Sequence, residues 1–197
     1  MSYWHNFSFP VNLALQLQMA SLQESAYDGL SNHRISAQLP AGTAYLHKGK
    51  FASKPLVVAG VDTRWKLYGA LDLLSKNIDG TYSIIDGKVS MKKDAEGLAN
   101  DYWKQLEAYA YMLEHPESGD PLVISTIGLI QWRIDSTLSM ESDLRGFKVE
   151  EKYIPVNRNP DGFIDFISDF IEIIEGNFPD SSPNCADCKS LSQIGIY

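Results

Sequence analysis

Between residues 12 and 30 there is no proline, and Leu13, Leu17, Ala20 and Tyr27, with Leu15, Leu22 and Ala26 beside them, recur at roughly helical spacing. This predicts a first helix, with Gly29 and then Ser31-Asn32 as stop signals. The apolar period then shortens. Ile35 to Leu39, Thr43 to His47 and Leu56 to Val61 read as short strands separated by Pro40-Ala41-Gly42 and Gly49-Lys50. Lys66 to Leu74 and Thr81 to Ile85 flank Asn77-Ile78-Asp79-Gly80, and an Asp-Gly pair between apolar runs predicts an antiparallel hairpin. Helical spacing returns in Gly97 to Glu114 through Leu98, Tyr102, Leu106, Tyr109 and Leu113, ending before Pro116. Leu122 to Ile134 is β-branched and apolar enough for a central strand, and Phe147 to Val156 for another.

The last helix has the clearest start, with Asn159 as cap and Pro160 at the first helical position. Phe163, Phe166, Ile167, Phe170, Ile171 and Ile174 are predicted to face inward, Asp165, Asp169, Glu172 and Glu175 to face water, and Gly176 to stop the helix. The order of elements predicts an α/β sandwich with a mixed sheet. No internal repeat, linker or low-complexity segment interrupts it, so residues 1–197 are expected to form a single domain, long enough to bury a core without staples.

Composition narrows the function classes. Hydrophobic residues at 44% and charged residues at 21% are ordinary for a soluble protein and argue against disorder or a fibrous repeat. The longest apolar runs, Leu122 to Trp132 and Phe163 to Ile174, are interrupted long before a bilayer could be spanned. Met1-Ser2-Tyr3-Trp4-His5-Asn6 does not open a secretion signal, and Cys185 and Cys188, three apart, are a poor disulfide framework; both observations lead to a cytoplasmic expectation. The net charge of -8 works against phosphate binding, which is driven by Lys and Arg, unless a basic groove is local, as Lys88, Lys92, Lys93 and Lys104 would allow.

The candidate chemistry lies in the middle of the chain. Gly69-Ala70-Leu71-Asp72 and Ile84-Ile85-Asp86-Gly87-Lys88 place one carboxylate on a strand, a second on its hairpin partner, and a lysine two residues further. If the strand continues through Gly87, alternation points Asp86 and Lys88 to one face. Phosphodiester hydrolysis needs hard oxygen ligands for Mg2+ or Mn2+, a metal-activated water, and a cation to orient it, and Asp, Asp and Lys supply these parts. Asp86-Gly87 alone also satisfies a hairpin turn. The simultaneous presence of G-x-x-D upstream and Gln105-Leu106-x-x-Tyr109 downstream favours the strand.

The run Gly69-x-x-Asp72, Asp86-x-Lys88 and Gln105-Leu106-x-x-Tyr109 resembles the motifs of RecB-type PD-(D/E)XK nucleases, best over Lys66 to Glu114 and more loosely to the Cys185–Cys188 pair, in the order seen in relatives of the CRISPR-adaptation nucleases. The resemblance implies a restriction-endonuclease-like fold, a mixed central sheet flanked by helices. It implies a Mg2+- or Mn2+-dependent deoxyribonuclease acting on single- or double-stranded DNA in repair, recombination, phage biology or CRISPR-related processing. It assigns Asp72, Asp86 and the Gly87 carbonyl to the metal, Lys88 to the attacking water, and Gln105 and Tyr109, on one helix face, to the DNA strand. For the first-helix acid or histidine of many relatives Glu24 is the candidate, with His33 and His47 as alternatives.

The chain departs from the family in having Gly87 where an aromatic is common, and two cysteines where iron–sulfur members have four; no iron–sulfur cluster is expected. Zinc on Cys185 and Cys188 competes with two free thiols. Tyr102, Trp103, Tyr109 and Tyr111 are candidates for stacking on bases, against core packing for Tyr102 and Tyr109. A homo-oligomer or a protein partner is left open. The competing readings are a nuclease fold without catalysis, serving DNA or protein binding, and an unrelated α/β binding protein in which Asp86-Gly87 is a turn.

Overall fold

The computed structural model describes residues 13–46, 49–139 and 146–177; His47, Cys185 and Cys188 lie outside them. The chain forms two compact units, residues 1–160 and 161–197. In the first unit, helices α1 (Leu13–Tyr27), α2 (Asn32–Ile35) and α3 (Ala95–Glu114) accompany strands β1 (Gly42–Leu46), β2 (Phe51–Ala52), β3 (Val57–Val58), β4 (Val61–Asp62), β5 (Tyr68–Gly69), β6 (Leu73–Asn77), β7 (Tyr82–Val89), β8 (Ile124–Ser139) and β9 (Gly146–Val156). The described part of the second unit is almost entirely α4, Pro160–Glu175, which begins at the expected proline.

Five strands form the central sheet in the order β1-β6-β7-β8-β9, with β2-β5 and β3-β4 as separate small pairs. The sheet is mixed: β7 and β8 run parallel, joined by α3, and every other neighbour is antiparallel. The β6–β7 hairpin turns at Asn77–Thr81, where Gly80 takes the positive φ of 87° that the Asp-Gly signal called for. Asn77 anchors this end of the sheet, donating to the hydroxyls of Thr81, Ser83 and Ser125 and accepting from Asn32, so its buried amide is satisfied.

Strand alternation divides the core between two faces. Ile84, Leu129 and Ile154 pack with Leu98, Leu106, Ala110 and Leu113 of α3 on one side. On the other, Ile85, Ile130 and Tyr153 pack with Tyr27 of α1, and with Ile35 and Leu39. The sheet is therefore flanked by helices on both faces, as the resemblance implies.

Several local expectations need correction. Ile35–Leu39 is no strand, because Asn32 is pulled into the core by bonds to Pro40, Asn77 and Ser75 and closes a short helix there. Leu56–Val61 is split by Ala59 and Gly60, both at positive φ, into the hairpin β3–β4. Lys66–Leu74 is interrupted likewise: Tyr68–Gly69 pairs with β2, and β6 begins only at Leu73. On α1, Leu17 and Leu22 are exposed and the inward row is carried by Gln23 and Tyr27. On α4, Phe163, Ile167 and Ile171 are buried, whereas Phe170 and Ile174 are exposed, so the apolar face is narrower than the hydrophobic pattern predicts.

Candidate active site

Gly87 belongs to a strand. β7 runs unbroken through Asp86, Gly87 and Lys88, in register with Leu129, Ile130 and Gln131 of β8, which disposes of the turn reading. Alternation then puts Ile84, Asp86 and Lys88 on the α3 face and Gly87 on the α1 face.

Asp72 sits in the bend just before β6 and not on the strand itself. Leu73 pairs with Ile85, and one further step of that ladder would set Asp72 opposite Asp86, two like charges across an antiparallel pair. The ladder stops short of it. The Gly87 N–H, left without a strand partner, donates instead to Asp72 Oδ2 at 2.8 Å, which fixes the first carboxylate one residue away from the second.

Asp86 is 2% exposed, and the ammonium of Lys88 lies against its Oδ2; apart from that ion pair the oxygen has no hydrogen-bond partner. Burial pushes the Asp86 carboxyl up, Lys88 pulls it back and the charges of Asp72 and Glu24 raise it again, which leaves it at about 6. Burial works against the Lys88 ammonium, but Asp86 and then Asp72 more than offset it and its pKa is raised. The ammonium also stands 4.5 Å from the centroid of the Tyr102 ring, within cation–π range. Burial first, and then the Asp72 charge, raises Glu24.

From α3, Tyr102, Gln105 and Tyr109 face the same place, being three and four residues apart. Gln105 Nε2 donates to the Tyr109 hydroxyl at 2.6 Å, and Tyr109 is held above the usual phenol range by burial, with Asp86 and Asp72 adding to it against Gln105. The sequence motifs are thus drawn to one end of β6–β7. His33, by contrast, is exposed on α2.

Two residues join this site from outside the motifs. Tyr102 packs against the core, as its helical stripe predicts, yet its ring also carries the Lys88 ammonium. Gln23, next to Glu24, is 1% exposed; its Nε2 donates to the Ile130 carbonyl at 2.8 Å, and its Oε1 has no partner. That orphan oxygen points at Gly87: a Cβ there would fall 2.8 Å from Gln23 Oε1 and 3.5 Å from Asp72 Oδ2. A polar side chain in the inward row of α1, one turn before Tyr27, is the sequence signal that could have found it.

A profile of the PD-(D/E)XK nuclease superfamily matches residues 13–192. The chain belongs to the PD-(D/E)XK nuclease superfamily. Its five-stranded mixed sheet between helices fits the restriction-endonuclease-like fold. Among solved structures, the crystal structure of SSO0001 is similar at a TM-score of 0.45 and 18% identity, over 92% of this chain and 66% of that one. The chain thus spans just under two thirds of the length of that protein. No curated protein matches. No helix among the described residues is long and apolar enough to cross a membrane.

Members of this superfamily generally use divalent ions. Among the described residues no three His, Cys, Asp or Glu side chains are grouped as a ready metal cage. The donor chemistry nevertheless fits a hard cation: Asp72 and Asp86 repel each other, Glu24 feels Asp72, and Gln23 presents a buried oxygen without a donor.

Proposed function

We propose that this nuclease-superfamily domain is a Mg2+- or Mn2+-dependent deoxyribonuclease, with Asp72, Asp86 and the Gly87 carbonyl as metal ligands and Glu24 as a further carboxylate. The observation that carries the reading is the meeting of Asp72, Asp86 and Lys88 at the end of the β6–β7 hairpin, where burial and the Asp72 charge work against ionised Asp86 and the Lys88 ammonium works for it. A bound divalent ion would supply a water acidified enough to attack a phosphodiester and would neutralise charge on the phosphate. Lys88, resting on Tyr102 and paired with Asp86, holds a compact positive charge where the attacking water and a phosphate oxygen would meet. Gln105 and Tyr109, bonded to each other, present one amide and one phenol edge to the strand being cut. Action in repair, recombination, phage biology or CRISPR-related processing, and a cytoplasmic setting, accord with the RecB-like motifs and with the two cysteines close together.

The pairing of Lys88 with Asp86 also favours a second reading, a nuclease fold that binds DNA or protein without cutting, because that ion pair neutralises the carboxylate a metal would use. Digestion of single- and double-stranded DNA across a divalent-metal titration separates the two. Metal-dependent cleavage that disappears in Asp86→Ala supports the enzyme; no cleavage with any divalent ion leaves the binding module.

A further inference from the structure

Residues 49–69 carry Lys50, Lys54, Arg64 and Lys66 against one carboxylate, Asp62, in a chain whose net charge is -8. The segment forms an arm, with β2 paired to β5 at its base and β3 to β4 beyond, turning at Ala59-Gly60. Its base is fastened to the end of α3. Lys54 N–H donates to the His115 carbonyl at 2.9 Å, Glu117 N–H to the Ala52 carbonyl at 2.9 Å, and the Lys66 ammonium pairs with Glu117 at 2.5 Å. The Ser53 hydroxyl closes the base, accepting from Leu67 N–H at 3.0 Å and donating to the Lys54 carbonyl at 2.6 Å.

On this frame two cations each lie beside an aromatic ring. Lys50 Nζ stands 5.9 Å from the Tyr68 ring centroid, and Arg64 Cζ 5.3 Å from that of Trp65. Tyr68 is 69% exposed, a broad ring left in water beside an ammonium. Rings paired with cations are the composition that takes a base by its π-face and the backbone by its charge. The arm also leads to the catalytic candidates. A Cβ on Gly69 would meet Met112 Cε at 3.2 Å and Tyr109 Cε1 at 3.4 Å, so the backbone next to Tyr68 lies directly against the tyrosine that lines the site. Asp72 follows Tyr68 by four residues, at most about 14 Å of extended chain.

We propose that the arm 49–69 is a docking surface for single-stranded DNA, with a base stacked on Tyr68 and backbone phosphates on Lys50 and Arg64, feeding the strand toward Asp72 and Asp86. A duplex keeps its bases stacked on one another and offers no free π-face to Tyr68, so the surface selects single strands. The delivery step rests on the nuclease reading above; the docking itself does not.

The test is fluorescence anisotropy with a labelled oligothymidylate in EDTA, where binding is read without cleavage. Tyr68→Ala should weaken binding about tenfold while Tyr68→Phe retains it. Replacing both Lys50 and Arg64 by Ala should lower the slope of log affinity against log salt by about 0.7 for each phosphate that is no longer neutralised. Because Tyr68 is exposed, thermal melts of these variants should overlay the wild type, so a loss of binding is not a loss of folding. Equal binding by wild type and Tyr68→Ala overturns the proposal, as does failure of the wild type to bind the oligomer, or an equal-length duplex bound more tightly. Should the wild type cut DNA and Tyr68→Ala bind and cut as well, the arm is wrong and the nuclease reading stands. Should nothing be cut while Tyr68→Ala still loses binding, the arm stands and the nuclease reading falls.

Discussion

Replacing Gly87 by alanine tests whether Gln23 and the D-G-K strand are a matched pair. The new Cβ would lie 2.8 Å from Gln23 Oε1, closer than side-chain carbons come to oxygen, whereas its 3.5 Å distance from Asp72 Oδ2 is ordinary contact. Gln23 must therefore swing away while Asp72 stays. The swing breaks the 2.8 Å bond from Gln23 Nε2 to the Ile130 carbonyl, in a place where Gln23 is 1% exposed and water is not at hand to replace it. Leaving the buried Gln23 amide without its acceptor costs about 1–3 kcal/mol. Alanine recovers about 0.5–1 kcal/mol over glycine in a strand interior, so Gly87→Ala should cost about 0–2.5 kcal/mol net. In a Gln23→Ala background the clash is absent and the same substitution should be neutral or slightly stabilising, giving a coupling of about 2 kcal/mol in the double-mutant cycle. Urea unfolding of the wild type, the two single variants and the double variant measures it, as midpoint changes at constant slope. Additive effects would show that Gln23 does not fill the space that glycine leaves.

The remaining expectations concern charge and catalysis. Asp72→Ala and Asp86→Ala should each abolish metal-dependent cleavage in a gel assay, since metal activation of water is worth on the order of a thousandfold or more. Lys88→Ala should lose most activity yet keep divalent-ion affinity by calorimetry, and Lys88→Arg should rescue poorly because a planar fork replaces a point charge. Gln105→Ala should weaken turnover less than any of these. Asp86 also sets a pH dependence. Its folded pKa, about 6, lies above the unfolded value, so its contribution to stability is present below about pH 4 and is lost as pH rises through 6. In metal-free buffer the stability of the wild type relative to Asp86→Asn should therefore fall, on the order of 3 kcal/mol, between pH 4 and pH 7; a flat difference in chemical denaturation would contradict the burial argument. Divalent ions should raise the melting temperature more at pH 7.5 than at pH 5.5, because protons compete for the same carboxylates.

The parts of the fold and site that could be read from the residues are those that depend on fixed spacing along one element. Gln105 and Tyr109 share a helix face because they are four apart, Asp86 and Lys88 share a strand face because they are two apart, and Gly80 marks a hairpin because only the turn needs its positive φ. What escaped depends on partners remote in sequence. Asn32 makes a helix where β-propensity suggested a strand because Asn77 and Ser75, over forty residues away, satisfy its buried amide. Leu22 is exposed and Gln23 buried, against hydrophobicity, because the Ile130 carbonyl, 107 residues on, supplies the amide with an acceptor. Gly87 resembles a turn residue for the same reason. Its flexibility suggests φ freedom, but its role here is the missing Cβ, since a first-helix side chain occupies the volume that any other residue would claim. A glycine between the acid and the lysine therefore does not count against the strand, and whether it supports catalysis depends on Gln23: an orphan amide oxygen facing Gly87, as the Asp72 carboxylate does, is a cost to the metal-free protein that a hydrated cation, with water to donate, would remove.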